Sequence, residues 1–154
     1  MNLKEKIVSN LRNALKTGDR RTVSVLRMIN ARILDREIEL RRQKGRDYQL
    51  KDEEVTDLIS SYAKQRLQSI ESYRKGRRED LVEQEQAEFH ILQEYLPEQL
   101  SQEAVEVLVD EAISETGASG PKDIGLVMKS IMPKVKGAID GKVVNQIVQR
   151  KLTH

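Results

Sequence analysis

The stretch Glu94-Tyr95-Leu96-Pro97-Glu98-Gln99-Leu100-Ser101 separates two long helical patterns of this sequence. Pro97 has no backbone N–H and disfavours helical backbone at the residue before it, so the incoming helix is predicted to end at Leu96. Ser101 is a favourable N-cap, which predicts that a new helix begins directly after it. The sequence therefore predicts an all-α protein of two domains, 1–97 and 98–154, joined at a Tyr-Leu-Pro hinge.

The N-terminal domain is predicted to be a helical bundle, because apolar residues recur every three to four positions through four segments. The third and fourth segments are separated by only a few residues, which favours an antiparallel helical hairpin. Gly76 is predicted to close the third segment. The predicted helices cover about 3–18, 20–44, 52–76 and 78–96.

The C-terminal domain is predicted to contain three short helices. The first follows Ser101 and ends at Thr116-Gly117. The second begins with Pro121 in its first turn, since proline is tolerated there. Pro133 should kink this helix or start a separate turn, and Asp140 is placed to cap the last helix.

The composition excludes several classes of protein. Of 154 residues 34% are charged, 3% are aromatic and none is cysteine, so disulfides and Cys-ligated metal sites are excluded. No apolar run approaches the ~20 residues that a membrane span requires. The first residues look like neither a signal peptide nor a transit peptide, so the expected location is the cytoplasm, without a membrane partner.

Charge is distributed unevenly along the chain, although the formal net charge is only +2. Residues 1–97 carry a net charge of +3, residues 98–120 one of −6, and residues 121–154 one of +5. An acidic helix is thus followed by a basic terminal segment, which predicts a directional surface that the overall pI does not reveal.

Polar residues fall on predicted apolar faces of three neighbouring helices. Arg66, Glu85 and Glu88 occupy such positions on the third and fourth helices, and Asn30 and Glu37 on the second. An ion-pair network of Arg66 with Glu85 or Glu88 is the favoured interpretation. A metal or catalytic site and partly exposed side chains are the alternatives; the Glu-x-x-His spacing of di-metal bundles is missing.

The sequence contains no known motif for nucleotide binding or nucleophilic catalysis. There is no thiol, and the two histidines are His90 and His154, the latter expected to be solvent-exposed. No catalytic residue, metal ligand or cofactor is therefore predicted.

Seven basic residues of the terminal segment form the predicted RNA-facing set. Lys122, Lys129 and Lys136 are seven residues apart, which on one helix would align them as a stripe. A solvated helix face and a phosphate-binding surface explain this pattern about equally well. Aromatic residues do not alternate with these basic residues, so phosphate and shape contacts with folded RNA fit better than stacking on single strands. The set is completed by Lys134, Lys142, Arg150 and Lys151.

Basic runs also occur earlier in the chain, at Arg20-Arg21 and at Arg41–Arg46. Such runs are more often solvated helix ends than phosphate contacts.

Several motifs in combination resemble the YqeY family across essentially the whole chain. They are Leu26-Arg27, Ala63-Lys64-Gln65-Arg66, Gly76-Arg77-Arg78-Glu79-Asp80-Leu81-Val82, the Glu94–Ser101 stretch, Gly125-Leu126-Val127-Met128, Met132–Gly137 and Asp140–Asn145. Residues from about 98 onward also resemble the tail domain of GatB, a subunit of the glutamine-dependent tRNA amidotransferase. The resemblance implies a helical bundle joined to a three-helix module that helps to hold tRNA.

Three functional hypotheses follow from the residues and the resemblance together. The first is an accessory module that binds tRNA or another folded RNA, beside an aminoacyl-tRNA amidotransferase or synthetase. The alternative is a protein-interaction module that recruits a partner through its bundle. The third, implied by the resemblance alone, is carbon–nitrogen ligase activity with glutamine as amide donor, carried out only with other subunits.

Overall fold

The computed structural model describes residues 1–153, so the expectation for His154 lies outside the described residues. Helices account for all of the regular structure there, and no strand occurs among these residues, which confirms the all-α prediction. The α-helices are α1 (Leu3–Thr17), α2 (Arg20–Lys44), α3 (Asp52–Lys75), α4 (Glu79–Gln93), α5 (Gln102–Thr116), α6 (Ile124–Val135) and α7 (Gly141–Leu152). The chain divides into two compact units, of which the first covers Met1–Leu96 and the second begins at Pro97.

The first two helices are linked by a tight reversal at Gly18 and Asp19. Gly18 adopts the left-handed conformation with φ of 76°, which costs glycine little because it has no Cβ. Asp19 then caps α2, and its carboxylate accepts hydrogen bonds from the Thr22 N–H and hydroxyl. These bonds hold the pKa of Asp19 below its ordinary value, with a smaller contribution from the charge of Arg21. The predicted start and end of α2 are both confirmed.

The core of the first unit is aliphatic and draws on every helix of the bundle. α1 packs on α2, and α3 packs along α4, which confirms the predicted hairpin. α2 also contacts α3 and α4, so the two helix pairs form one bundle. The buried core residues are Ile7, Val25, Leu26, Ile29, Ile33, Leu50, Val55, Ile59, Ala63, Leu92 and Tyr95.

Helix α4 ends three residues earlier than the predicted end at Leu96. Its last residue is Gln93, and Glu94–Leu96 form turns in which the N–H groups of Tyr95 and Leu96 bond to carbonyls three residues back. Tyr95 is only 6% exposed, and its hydroxyl accepts a hydrogen bond of 2.7 Å from the Asn10 side chain. The buried ring of Tyr95 thus coincides with a change from α-helix to tighter turns before Pro97. The role of the Tyr-Leu-Pro stretch as a hinge stays a prediction.

The end of α3 also differs in detail from the prediction. Gly76 has a φ of −82°, and the left-handed conformation falls on Arg77, with φ of 57°. The Arg78 N–H then bonds to the carbonyl of Tyr73. The reversal therefore occurs one residue later than the glycine rule predicts, although the helix still ends beside Gly76.

The second unit is a three-helix module with its own core. Ser101 caps α5 as predicted, accepting a hydrogen bond of 3.1 Å from the Ala104 N–H. The predicted sixth helix begins as a 3-10 turn, Pro121–Asp123, before α6 starts. Pro133 is inside α6, which continues to Val135, so no separate turn forms there. The core residues are Val105, Val109, Ala112, Val127, Ile131, Val135, Val144, Ile147, Val148 and Leu152.

Among residues 1–153, no helix has the length and apolar character needed to cross a membrane.

Candidate nucleic-acid interface

The predicted RNA-facing set lies entirely in the second unit, on three segments. Lys122 is in the 3-10 turn, Lys129 and Lys134 are in α6, and Lys136 directly follows that helix. The other three, Lys142, Arg150 and Lys151, are on α7. All are exposed except Lys151, which is half-buried.

The prediction that Lys122, Lys129 and Lys136 lie along a single helix is wrong. α6 contains only Lys129 of the three, because the helix starts at Ile124 and ends at Val135. The backbone of Lys136 is extended beyond the helix end, with ψ of 126°. The seven-residue spacing therefore does not by itself place these three side chains on one face. Whether they share a surface stays a prediction.

Three of the seven basic residues form ion pairs with acidic residues of α5. Lys151 Nζ lies 2.9 Å from an Asp110 carboxylate oxygen, and Arg150 forms an ion pair with Glu106. Lys134 Nζ, on α6, is 3.6 Å from a carboxylate oxygen of Glu115, which is also on α5. These pairs link α7 and α6 to α5, and they neutralise part of the basic surface within the unit itself.

Three other basic residues of the set form no ion pair among the described residues. Among residues 1–153 no acidic side chain forms an ion pair with Lys122, Lys129 or Lys142. The Lys142 backbone N–H bonds to the capping carboxylate of Asp140, which leaves its ammonium group unused. Three exposed ammonium groups without internal counter-charges are suited to binding phosphate oxygens.

The Arg66 network in the first unit is confirmed as an ion-pair cluster. Arg66 Nη1 lies 3.0 Å from Glu85 and 3.3 Å from Glu88, joining α3 to α4. The Arg66 side chain is 21% exposed, and its buried Nε has no hydrogen-bond partner. Within the described residues no group of three or more histidine or acidic side chains could hold a metal ion.

Sequence reasoning placed Glu37 on an apolar face but missed its partners. The residue is fully buried, and its carboxylate accepts from Lys4 Nζ at 2.8 and 2.9 Å and from the Leu50 N–H at 2.8 Å. Lys4 is on the first turn of α1, beside the inward-facing Leu3 and Ile7. This position was the sequence signal that could have identified Lys4 as the partner of Glu37.

A second missed signal is a basic excess near the start of the N-terminal unit. Residues 6–34 carry seven Lys/Arg and one Asp, a net charge of +6, whereas residues 35–96 carry −3. The moderate +3 of the whole domain concealed this contrast.

Comparison with known proteins gives one family and two relatives. A family model described as "Yqey-like protein" matches residues 4–152. "Altered inheritance of mitochondria protein 41, mitochondrial" from Pyrenophora tritici-repentis is 30% identical over 147 residues, which covers 94% of this chain and 77% of that protein.

The second relative is a much longer protein, one of the subunits of a glutamyl-tRNA(Gln) amidotransferase from Aeropyrum pernix. It is 44% identical over 57 residues, which is 34% of this chain and 9% of the archaeal protein. The similarity supports the GatB-like relationship inferred from the sequence motifs.

Proposed function

Because this chain belongs to the YqeY-like family, we propose that it is an accessory module that binds tRNA or another folded RNA. It would act beside an aminoacyl-tRNA amidotransferase or synthetase. The observation that carries the proposal is the group of exposed, unpaired lysines in the second unit, Lys122, Lys129 and Lys142.

The name of one relative supports RNA as the ligand. The Aeropyrum pernix protein belongs to an amidotransferase for glutamyl-tRNA(Gln), and the shared segment is a small part of it. A short module common to both proteins fits a role in holding RNA better than a role in the chemistry, since a binding module needs only a compact charged surface.

The mode of binding follows from the residues available. Lysine ammonium groups contact phosphates as point charges and carry no base readout of their own. We therefore propose shape- and phosphate-dependent binding with modest affinity, about 10⁻⁴–10⁻⁶ M at physiological salt. Each contact should steepen the fall of log affinity with log salt by roughly 0.7–0.9.

The test compares two triple variants of equal charge. The unpaired set is changed by Lys122→Gln, Lys129→Gln and Lys142→Gln, and the paired set by Lys134→Gln, Arg150→Gln and Lys151→Gln. In a salt titration of tRNA binding, the slope of log affinity against log salt should become shallower by about 2–3 in the first variant. The second variant should change this slope much less, because its three basic residues are already paired with acidic residues of α5. If the first variant retains the affinity and slope of the parent, its lysines are a solvated face and RNA binding there is refuted.

A second candidate is the protein-interaction module, which one observation favours. Leu34 and Ile38, four residues apart on α2, are 45% and 61% exposed. Residues at this spacing share a helix face, and an apolar pair in water is a common anchor for a partner. A protein that co-purifies with the parent at high salt, and is lost on Leu34→Ser with Ile38→Ser, would favour this function over RNA binding.

For the cellular location we propose the cytoplasm. The alternative is the mitochondrion, because the name of the relative from Pyrenophora tritici-repentis includes "mitochondrial". Fluorescence microscopy of the full chain fused at its C-terminus to a fluorescent protein decides between them, and co-localisation with a mitochondrial marker would overturn the proposal.

A further inference from the structure

The reversal between α1 and α2 carries a dense group of exposed bases, which we term the hairpin tip. It consists of Arg12, Lys16, Arg20, Arg21 and Arg27. Lys16 and Arg20 flank the turn, and the most distant member, Arg27, is eight residues, or ~12 Å, from it along α2. Five cations thus share one end of a helix pair.

None of these five bases forms an ion pair within the described part of the chain. The one acid of the region, Asp19, is engaged by Thr22 as the cap of α2. The remaining bases of residues 6–34 differ, since Lys6 lies over the Tyr95 ring at 5.7 Å and Arg32 over the Tyr62 ring at 5.9 Å. Apart from Arg21, whose charge contributes to the low pKa of Asp19, the basic residues of the hairpin tip have no internal partner among the described residues.

Local electrostatics oppose the placement of two of these bases. Arg20 and Arg21 are the first residues of α2, where the partial positive charge of the helix N-terminus disfavours cations. The first turn of α2 holds no acidic residue beyond the cap. The charge of Arg21 acts favourably on the capping carboxylate of Asp19, whereas Arg20 forms no ion pair, so helix stability explains at most one of the two arginines.

A concave surface accompanies the charges. A shallow groove of about 470 Å³ lies between the two helices, and its lining includes Leu15, Gly18, Arg20 and Arg27. Arg20 and Arg27 are seven residues apart on α2, roughly 10 Å, with the groove floor between them. Guanidinium groups bind phosphates bidentately, which makes arginine the preferred residue for gripping a nucleic-acid backbone.

We propose that the hairpin tip is a second RNA-binding surface of this protein, which grips the phosphate backbone of a folded RNA. This inference rests on the proposed function, and it extends that function to the first unit. RNA is favoured over an acidic protein helix because Arg12, Lys16 and Arg21 lie outside the groove lining. A helix seated in the groove would leave these three charges unused, whereas a nucleic-acid backbone crossing the tip would meet them.

The experiment uses the full chain and two matched variants. The tip variant carries Lys16→Gln, Arg20→Gln, Arg21→Gln and Arg27→Gln. The control carries Arg42→Gln, Arg46→Gln, Arg74→Gln and Lys75→Gln, four exposed bases of the same unit. Both lose four charges, so a difference between them reports position rather than net charge. Circular dichroism should show that both retain the helix content of the parent, since every substituted side chain is exposed.

The measurement is tRNA affinity across a range of salt concentrations. The tip variant should bind about tenfold or more weakly at low salt, with a slope of log affinity against log salt that is shallower by about 3–4, while the control should keep the slope of the parent. If the tip variant matches the control, the tip inference fails and the proposed function in the second unit stands. If the parent does not bind tRNA, both fail. If a poly-glutamate peptide displaces tRNA from the parent and from the control as effectively as unlabelled tRNA does, but loses this ability with the tip variant, an acidic protein replaces RNA as the partner of the tip.

Discussion

At the scale of single residues, Arg66 shows how a cation on an apolar face is stabilised. Its guanidinium group contacts two carboxylates on the neighbouring helix, and all three side chains are largely but not fully shielded from water. Removing one partner of a fully buried pair typically costs about 3–5 kcal/mol, because a charge is left unpaired. Partial exposure lowers that cost, since water reaches the remaining carboxylates.

We therefore expect Arg66→Ala to lower the free energy of unfolding of the first unit by about 2–3 kcal/mol. All four tyrosines, Tyr48, Tyr62, Tyr73 and Tyr95, belong to this unit, so tyrosine fluorescence in urea reports its unfolding selectively. The control is Arg36→Ala, which removes the exposed pair with Glu39 and should cost less than ~1 kcal/mol. Equal losses for the two variants would show that burial of the Arg66 cluster contributes nothing.

At the scale of helices, the sequence predicted the elements well because their ends carry local chemical signals. Gly18, Asp19, Ser101 and Asp140 occupy the cap positions expected of them. The errors occurred where the decisive contact was distant in the chain. Tyr95 bonds to Asn10, 85 positions away, and α4 ends before it. The pairing of α5 acids with α7 bases likewise joins residues over 40 positions apart, so no local pattern indicated which bases of the candidate site were already engaged.

The cap at Ser101 gives a prediction for the second unit. Ser101→Ala removes the acceptor for the Ala104 N–H and should lower the free energy of unfolding by about 1 kcal/mol. Ser101→Asp keeps an acceptor and should stay within a few tenths of a kcal/mol of the parent. Far-UV circular dichroism in urea follows both units, and tyrosine fluorescence isolates the first. A shift in the fluorescence transition equal to that in the dichroism would contradict an effect confined to α5.

At the scale of the whole molecule, the chain is expected to have no glutaminase or amidotransferase activity alone. The amide transfer requires a nucleophile and a nucleotide site, and the sequence has no cysteine and no known motif of either kind. The measurement is ammonia release from glutamine, and amide formation on glutamyl-tRNA, by the purified chain with ATP. A complete amidotransferase serves as the positive control. Turnover by the chain without other subunits would contradict the prediction.

The ion pairs between α5 and α7 mean that the second unit carries its own counterions. When a lysine binds an RNA phosphate, it displaces a mobile sodium ion from that phosphate, and the release of the ion gains entropy. At Arg150 and Lys151 the phosphate would also have to displace Glu106 and Asp110, which are tethered to the chain, so breaking these pairs releases no mobile ion. For a bound RNA, the acidic helix would thus act as a tethered competitor. Only an RNA whose shape brings several phosphates to the surface at once would outcompete it, so an acidic element that binds no RNA would still sharpen the choice among RNAs.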